Sequence, residues 1–234
     1  MSLFRILPAF SLVASQWPSR VSRPPRIVTI LVLLLVLFSG SARADDFLGL
    51  SPNSPLKVDL KERTVRLLAE VNGRYLSRPL VHHALVYKGG RLAYKSLFKA
   101  LVDHKTFHDS LVLAGYRPGN NMTMDNMAKT NVVGDLLQVT VTWKGAGKEY
   151  NLNDVIKDSN GKAILVRFGG NLSRAVDKGT GCLICLESCP VGITSNAQYT
   201  YGPIEKREEV VFTANRAVLP PHGSLVLLTF RKAP

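Results

Sequence analysis

The chain has 234 residues, 46% of them hydrophobic, and carries 30 Lys+Arg against 17 Asp+Glu for a formal net charge of +13. Its length predicts one folded core, with two as the upper limit, and no repeat, low-complexity stretch or Pro/Ser-rich interior linker divides it. No G-x-S-x-G, phosphate-cradling glycine loop, H-E-x-x-H or prominent carboxylate pair is present, so hydrolase and nucleotide chemistry find no support.

Residues 1–44 hold five arginines and no acid. Arg5, Arg20, Arg23 and Arg26 precede an apolar run from Ile27 to Phe38, broken only by Thr29, and the small residues Ser39, Gly40, Ser41, Ala42 and Ala44 follow it. This is the order of a secretory signal, and the run is shorter than the about 20 residues that span a membrane. Cleavage is expected after Ala44, leaving 45–234 as a single exported domain, periplasmic or otherwise extracytoplasmic, with no stable transmembrane segment. No cysteine follows to accept a lipid, and no arginine pair precedes the run, so general secretion is the expected route. Taking away five arginines and no acid leaves 25 Lys+Arg against 17 Asp+Glu, a net charge of +8. Outside the cytoplasm that charge points away from nucleic acid and toward an acidic redox protein or an anionic envelope surface; a merely solvated basic face is the plain alternative.

Thr64 to Val71 reads as a strand, followed by the hairpin signal Asn72-Gly73 and a second strand from Arg74. His82–Tyr87 and Ser96–Val102 continue the β pattern around Gly89-Gly90, as a meander. Asp103 is a helix N-cap, and Phe107, Leu111 and Ala114 at helical spacing, with Gly115 as a stop, predict a helix over 104–114. Strands are expected again at Leu136–Trp143, where polar and apolar residues alternate, and at Ala163–Phe168, Glu208–Thr213 and Leu225–Arg231. The fold class that follows is α+β, predominantly antiparallel β-sheet with one or two short helices and a glycine-rich cysteine loop.

All three cysteines, Cys182, Cys185 and Cys189, lie within eight residues, in the pattern C-x2-C-x3-C-P. It matches the last three positions of the bacterial ferredoxin run C-x2-C-x2-C-x3-C-P, with Gly179 where the first cysteine would stand. Three thiolates suit an iron–sulfur cluster with an open or non-cysteine corner, or a Cys3His zinc site. Against a cluster stands the compartment, since exported thiols oxidise and a chain secreted unfolded cannot carry a preassembled cluster. A disulfide or thiol-redox site is therefore the alternative, with Cys182–Cys185 as the reversible pair and Cys189 as the resolving thiol; a purely structural cluster is the third reading. Gly169-Gly170, Gly179, Gly181 and Gly192 give the backbone freedom to wrap closely round an ion.

The segments Arg117–Thr123, Val139–Gly147, Arg167–Leu172, Gly181–Asn196 and Val218–Gly223 resemble the YdjY family of exported bacterial proteins, over most of residues 64–231. That resemblance implies a ferredoxin-like protein with Cys182, Cys185 and Cys189 as cluster ligands. His83 is the candidate fourth ligand, with a satisfied, partly buried histidine as the plain alternative. His82, adjacent on the same strand, is expected to face the other way. His104 and His108, four apart on the predicted helix, could share an ion but read first as a solvated face, and His222 reads as a loop residue. The expected function is an exported electron carrier or binding protein with a three-cysteine site, rather than an enzyme. Its cofactor is an iron–sulfur cluster, with zinc or none as alternatives. A non-catalytic envelope interaction module, in which the cysteines are only a staple, is the reading from a different class.

Overall fold

The computed structural model describes residues 47–234, so the expected signal segment, 1–44, lies outside the described residues. In chain order the strands are β1 (Leu56–Asp59), β2 (Thr64–Val71), β3 (His83–Tyr87), β4 (Ser96–Ala100), β5 (Leu136–Trp143), β6 (Tyr150–Asn151), β7 (Ile156–Asp158), β8 (Val166–Arg167), β9 (Cys182–Cys185), β10 (Thr194–Asn196), β11 (Phe212–Ala214) and β12 (Leu225–Lys232). The helices are α1 (His104–Leu113), α2 (Leu152–Val155) and α3 (Leu172–Lys178).

Period-two patterning builds the wall. In β2, Val65, Leu67, Ala69 and Val71 enter the main core while Leu68 turns away; in β12, Val226, Leu228 and Phe230 face in and Leu227 turns away. Leu68 and Leu227 meet outside, covered by Leu50 with Phe47 against it. In β5, Leu137, Val139 and Val141 take the core face. The register sets Leu228 opposite both Leu67 and Val141, so the inward rows of three strands coincide. From β5 the sheet runs through β8, β10, β9, β3 and β4, and β4 pairs back onto β2 through Ala69–Ala100 and Val71–Phe98. The ring closes as an eight-stranded barrel. β1 extends β2 outside the ring, β6 pairs with β5, and β7 with β11 forms a separate ribbon.

The α+β expectation is thus corrected: the described chain is mostly β, a closed barrel with only short helices. Two of its joints, β3–β4 and β9–β10, are parallel. Each pair is linked by eight residues, 88–95 and 186–193, a length that reads in sequence as a hairpin loop and therefore as an antiparallel neighbour. The Asn72-Gly73 hairpin is replaced by a 3-10 turn over Gly73–Leu76. Asn72 keeps φ at −90°, and its side-chain amide donates to the Ser96 carbonyl at 2.9 Å, tying the chain to the start of β4 rather than reversing it. The strand expected over Ala163–Phe168 pairs only at Val166–Arg167, and that over Glu208–Thr213 gives way to Phe212–Ala214.

The predicted helix stands as α1, with Phe107 and Leu111 buried and the Phe107 ring 4.8 Å from that of Phe230. Asp103 caps it, accepting from the backbone N–H groups of Lys105 and Thr106 at 2.9 Å each and from the Thr106 hydroxyl. Among the described residues no helix is long and apolar enough to cross a membrane. Partial burial would raise the Asp103 carboxyl, but the hydrogen bonds from Thr106 and Lys105 outweigh it and hold the group below its ordinary value. Asp103→Ala should cost about 1 kcal/mol in urea unfolding at neutral pH. Because the folded-state value is depressed, this contribution is present above about pH 3.9 and is lost as pH falls through the folded value, so the gap between wild type and variant should close in acid.

Candidate metal centre

Cys182 and Cys185 lie on β9, in the barrel wall, not on the loop expected for them; only Cys189 belongs to a connection. β9 is bonded on one edge to β3, where His83 stands opposite Cys185, and on the other to β10, where Ser195 stands opposite Cys185. Directly opposed residues in a sheet share a face, so His83, Cys185 and Ser195 form one row. Register shifts between His83 and Val86 bring Cys182 to the same cluster. Its Sγ lies 2.6 Å from that of Cys185 and 3.5 Å from Nδ1 of His83. Cys189 packs with both, its thiol against that of Cys185. The intervening Leu183, Ile184 and Leu186 belong to the main core, while the three cysteines form a separate buried cluster with Val191 beside it. All three are free thiols, 0%, 0% and 3% exposed in chain order.

The 186–193 connection is held from several sides. The Asn171 amide donates to the carbonyls of Cys189 and Gly192 at 3.2 and 3.3 Å, and the Asn196 amide donates to that of Leu186 at 3.1 Å. Glu187, buried between the cysteines in sequence, accepts from the Gly202 N–H at 3.1 Å. Burial pushes its carboxyl up to about 7, against the pull of that N–H. Gly192 is required by space: a Cβ there would stand 2.8 Å from the Ser195 hydroxyl oxygen and 2.9 Å from the Cys185 sulfur.

Burial, reinforced by the neighbouring His82 and Lys95 charges, lowers His83 to about 2, so its imidazole is neutral, the form that ligates metals. Burial likewise raises the Cys182 thiol. Cys185 is raised well above its ordinary value by its hydrogen bond with Cys182, and Cys189 by that with Cys185, with burial acting in the same direction on both. Nε2 of His83 and Oγ of Ser195 are buried with no hydrogen-bond partner.

His83, Cys182 and Cys185 present ligand atoms that all lie within 4.8 Å of one another, and this group could hold a metal ion. With metal–sulfur bonds of about 2.3 Å and metal–nitrogen bonds of about 2.05 Å, a tetrahedral ion would separate nitrogen from sulfur by about 3.6 Å and the sulfurs by about 3.8 Å. The nitrogen–sulfur spacing of 3.5 Å fits. The two sulfurs, at 2.6 Å, would have to part by about 1 Å. The donor set agrees with a metal site, with Nδ1 of His83 as the nitrogen facing the thiols.

The other histidines stay apart from it as ligands. His82 precedes β3, so the alternation expected of it does not apply: its ring lies edge-on to that of His83, 3.9 Å between centroids, and its Nδ1 pairs with Glu205 at 3.1 Å. His108 sits 3.1 Å from Asp109, and His222 contacts the Gly73 N–H at 3.0 Å in its loop. Among the described residues His104 and His108 do not form part of a metal-holding group. Ser195, Glu187, Asn171 and Asn196 carried no signal in the sequence, since each is an ordinary polar residue until the strands are paired.

A profile of the YdjY domain matches residues 56–231. The chain belongs to the YdjY family. It is 50% identical over 194 residues to YdjY of Escherichia coli strain K12, described as uncharacterised, covering 83% of this chain and 86% of that protein. No solved structure matches. The YdjY domain matched by the profile includes His83 and all three cysteines.

Two outcomes follow for the metal-free domain. Its thiols should alkylate slowly in the folded state, and all three should label on unfolding, as mass spectrometry would read. Gly192→Ala should destabilise by about 1–3 kcal/mol, from the contacts its Cβ makes with Cys185 and Ser195, and should speed that labelling.

Proposed function

We propose that the protein is an exported, ferredoxin-like carrier in which Cys182, Cys185 and Cys189, with His83 beside them, hold a thiolate-bound metal centre, iron in the redox-active case, as a cluster or an ion. The observation that carries this reading is the mutually close, buried set of two thiols and the imidazole of His83. Thiolates and imidazole together suit zinc and iron, and a dry, low-dielectric wall is the setting in which a protein tunes the potential of a bound iron. Bound iron would supply one-electron transfer to a partner, and the chain's own part would be to ligate it, to exclude water and to fix the donors. Raised thiols with no exposure argue against nucleophilic exchange as the working chemistry, because attack requires an accessible thiolate. A second reading, a Cys182–Cys185 disulfide couple, is favoured by one observation alone, the 2.6 Å approach of those sulfurs.

The protein recovered without oxygen from its producing cell should contain iron or zinc and keep all three cysteines unbridged. A metal-free protein with Cys182 bridged to Cys185, even after reconstitution, transfers the assignment to the disulfide couple.

A further inference from the structure

We infer that the centre is a single ion held by His83, Cys182 and Cys185, with one coordination position left for a fourth donor, rather than a polynuclear iron–sulfur cluster; this deepens the metal reading above and rests on it. A cubane places its cysteine sulfurs on different irons, roughly 6 Å apart, with its inorganic sulfides in the space between them. Here the Cys182 and Cys185 sulfurs, 2.6 Å apart, would part by about 1 Å to share one ion but by about 3 Å to sit on different irons of a cubane. The cysteines pack against each other and against Val191, with no exposure of Cys182 or Cys185.

The row across three strands sets the number of donors. His83 is brought opposite Cys185 by the antiparallel β3–β9 ladder. Its Nδ1 is directed at Cys182, 3.5 Å from the sulfur. Cys189 packs in the same buried cluster but lies outside the mutually close set, so serving as the fourth donor would require the 186–193 connection to move toward the ion. Gly192 keeps the space beside the Cys185 sulfur clear, where any side chain would push it out of the group.

The test uses the full chain, purified without oxygen, stripped of metal, and then given cobalt(II) alone or ferrous iron with sulfide. The expected result is one cobalt per chain, with visible bands of four-coordinate geometry and a sulfur-to-cobalt charge-transfer band, and iron uptake that stops at one atom per chain without acid-labile sulfide. His83→Ala should weaken cobalt binding by at least about tenfold and shift the visible bands. Because that variant removes a buried ring, His83→Cys is paired with it: restored one-to-one binding with a stronger charge-transfer band marks the position as a ligand, independent of any loss of stability. Three or four irons with matching sulfide per chain, or a cobalt spectrum indifferent to both His83 variants, would overturn the single-ion centre while leaving a metal function standing. No binding of any metal by the folded wild type would overturn both.

Discussion

The double hydrogen-bonding of β9 is the constraint on which the site depends. A strand paired on both edges cannot slide or flip without breaking two ladders, and in a closed barrel no free edge absorbs the movement. The Thr194 hydroxyl adds a cross-strand bond to the Leu183 carbonyl at 2.7 Å, locking β9 to β10 at the stretch between the two strand cysteines. Backbone pairing therefore sets the His83–Cys185–Ser195 row. The irregular register between β3 and β9 then lets Cys182 turn its sulfur to the same side as Cys185, which an unbroken period of two would forbid for residues three apart.

Around that row the polar groups divide into two kinds. Those supporting the chain path are satisfied: Asn171 and Asn196 bind carbonyls of the 186–193 connection, Ser188 accepts from the Val132 N–H at 3.0 Å, and Glu187 accepts from Gly202. Ser195 Oγ, beside Cys185, and Nε2 of His83, on the ring edge away from Cys182, are not. An unsatisfied buried polar atom costs about 1–3 kcal/mol, so two at one place are an expense a fold keeps where function needs them. The contrast lies within one small region.

Much of the barrel was legible because the long strands are amphipathic. Thr64–Val71 and Leu136–Trp143 have the bounds that alternation predicts, and Asp103 marks the start of α1 as an N-cap should. What escaped is of two kinds. β8, β9 and β10 are two to four residues long and nearly all buried, so they have no alternation to read, and glycine-flanked cysteines look like a loop. The closure of the ring and its two parallel joints are properties of pairs, not of runs, and eight-residue connections resemble hairpins. For the site the outcome is mirrored: the cysteines announced themselves by spacing, whereas His83 could be singled out from His82 only once β3 and β9 were registered.

The strand location of the cysteines also bears on how such a centre could be filled after the export proposed above. A chain secreted unfolded has no site, because His83 lies 99 residues from Cys182 in sequence and meets it only through the β3–β9 ladder. Donors that do not exist in the unfolded state make ion capture part of folding, and the binding free energy then stabilises the pairing that creates the site. A preassembled cluster would instead need insertion into a finished wall whose sulfurs are fully covered. The joint between β9 and β10 carries only two residue pairs, and β8 meets β10 through two more, so this arc has far fewer backbone bonds than the β2–β12–β5 side. Local opening is cheapest where hydrogen bonds and buried contacts are fewest. The arc that carries the thiols is therefore the part of the barrel best suited to close last, around an ion, with the long strands already in place.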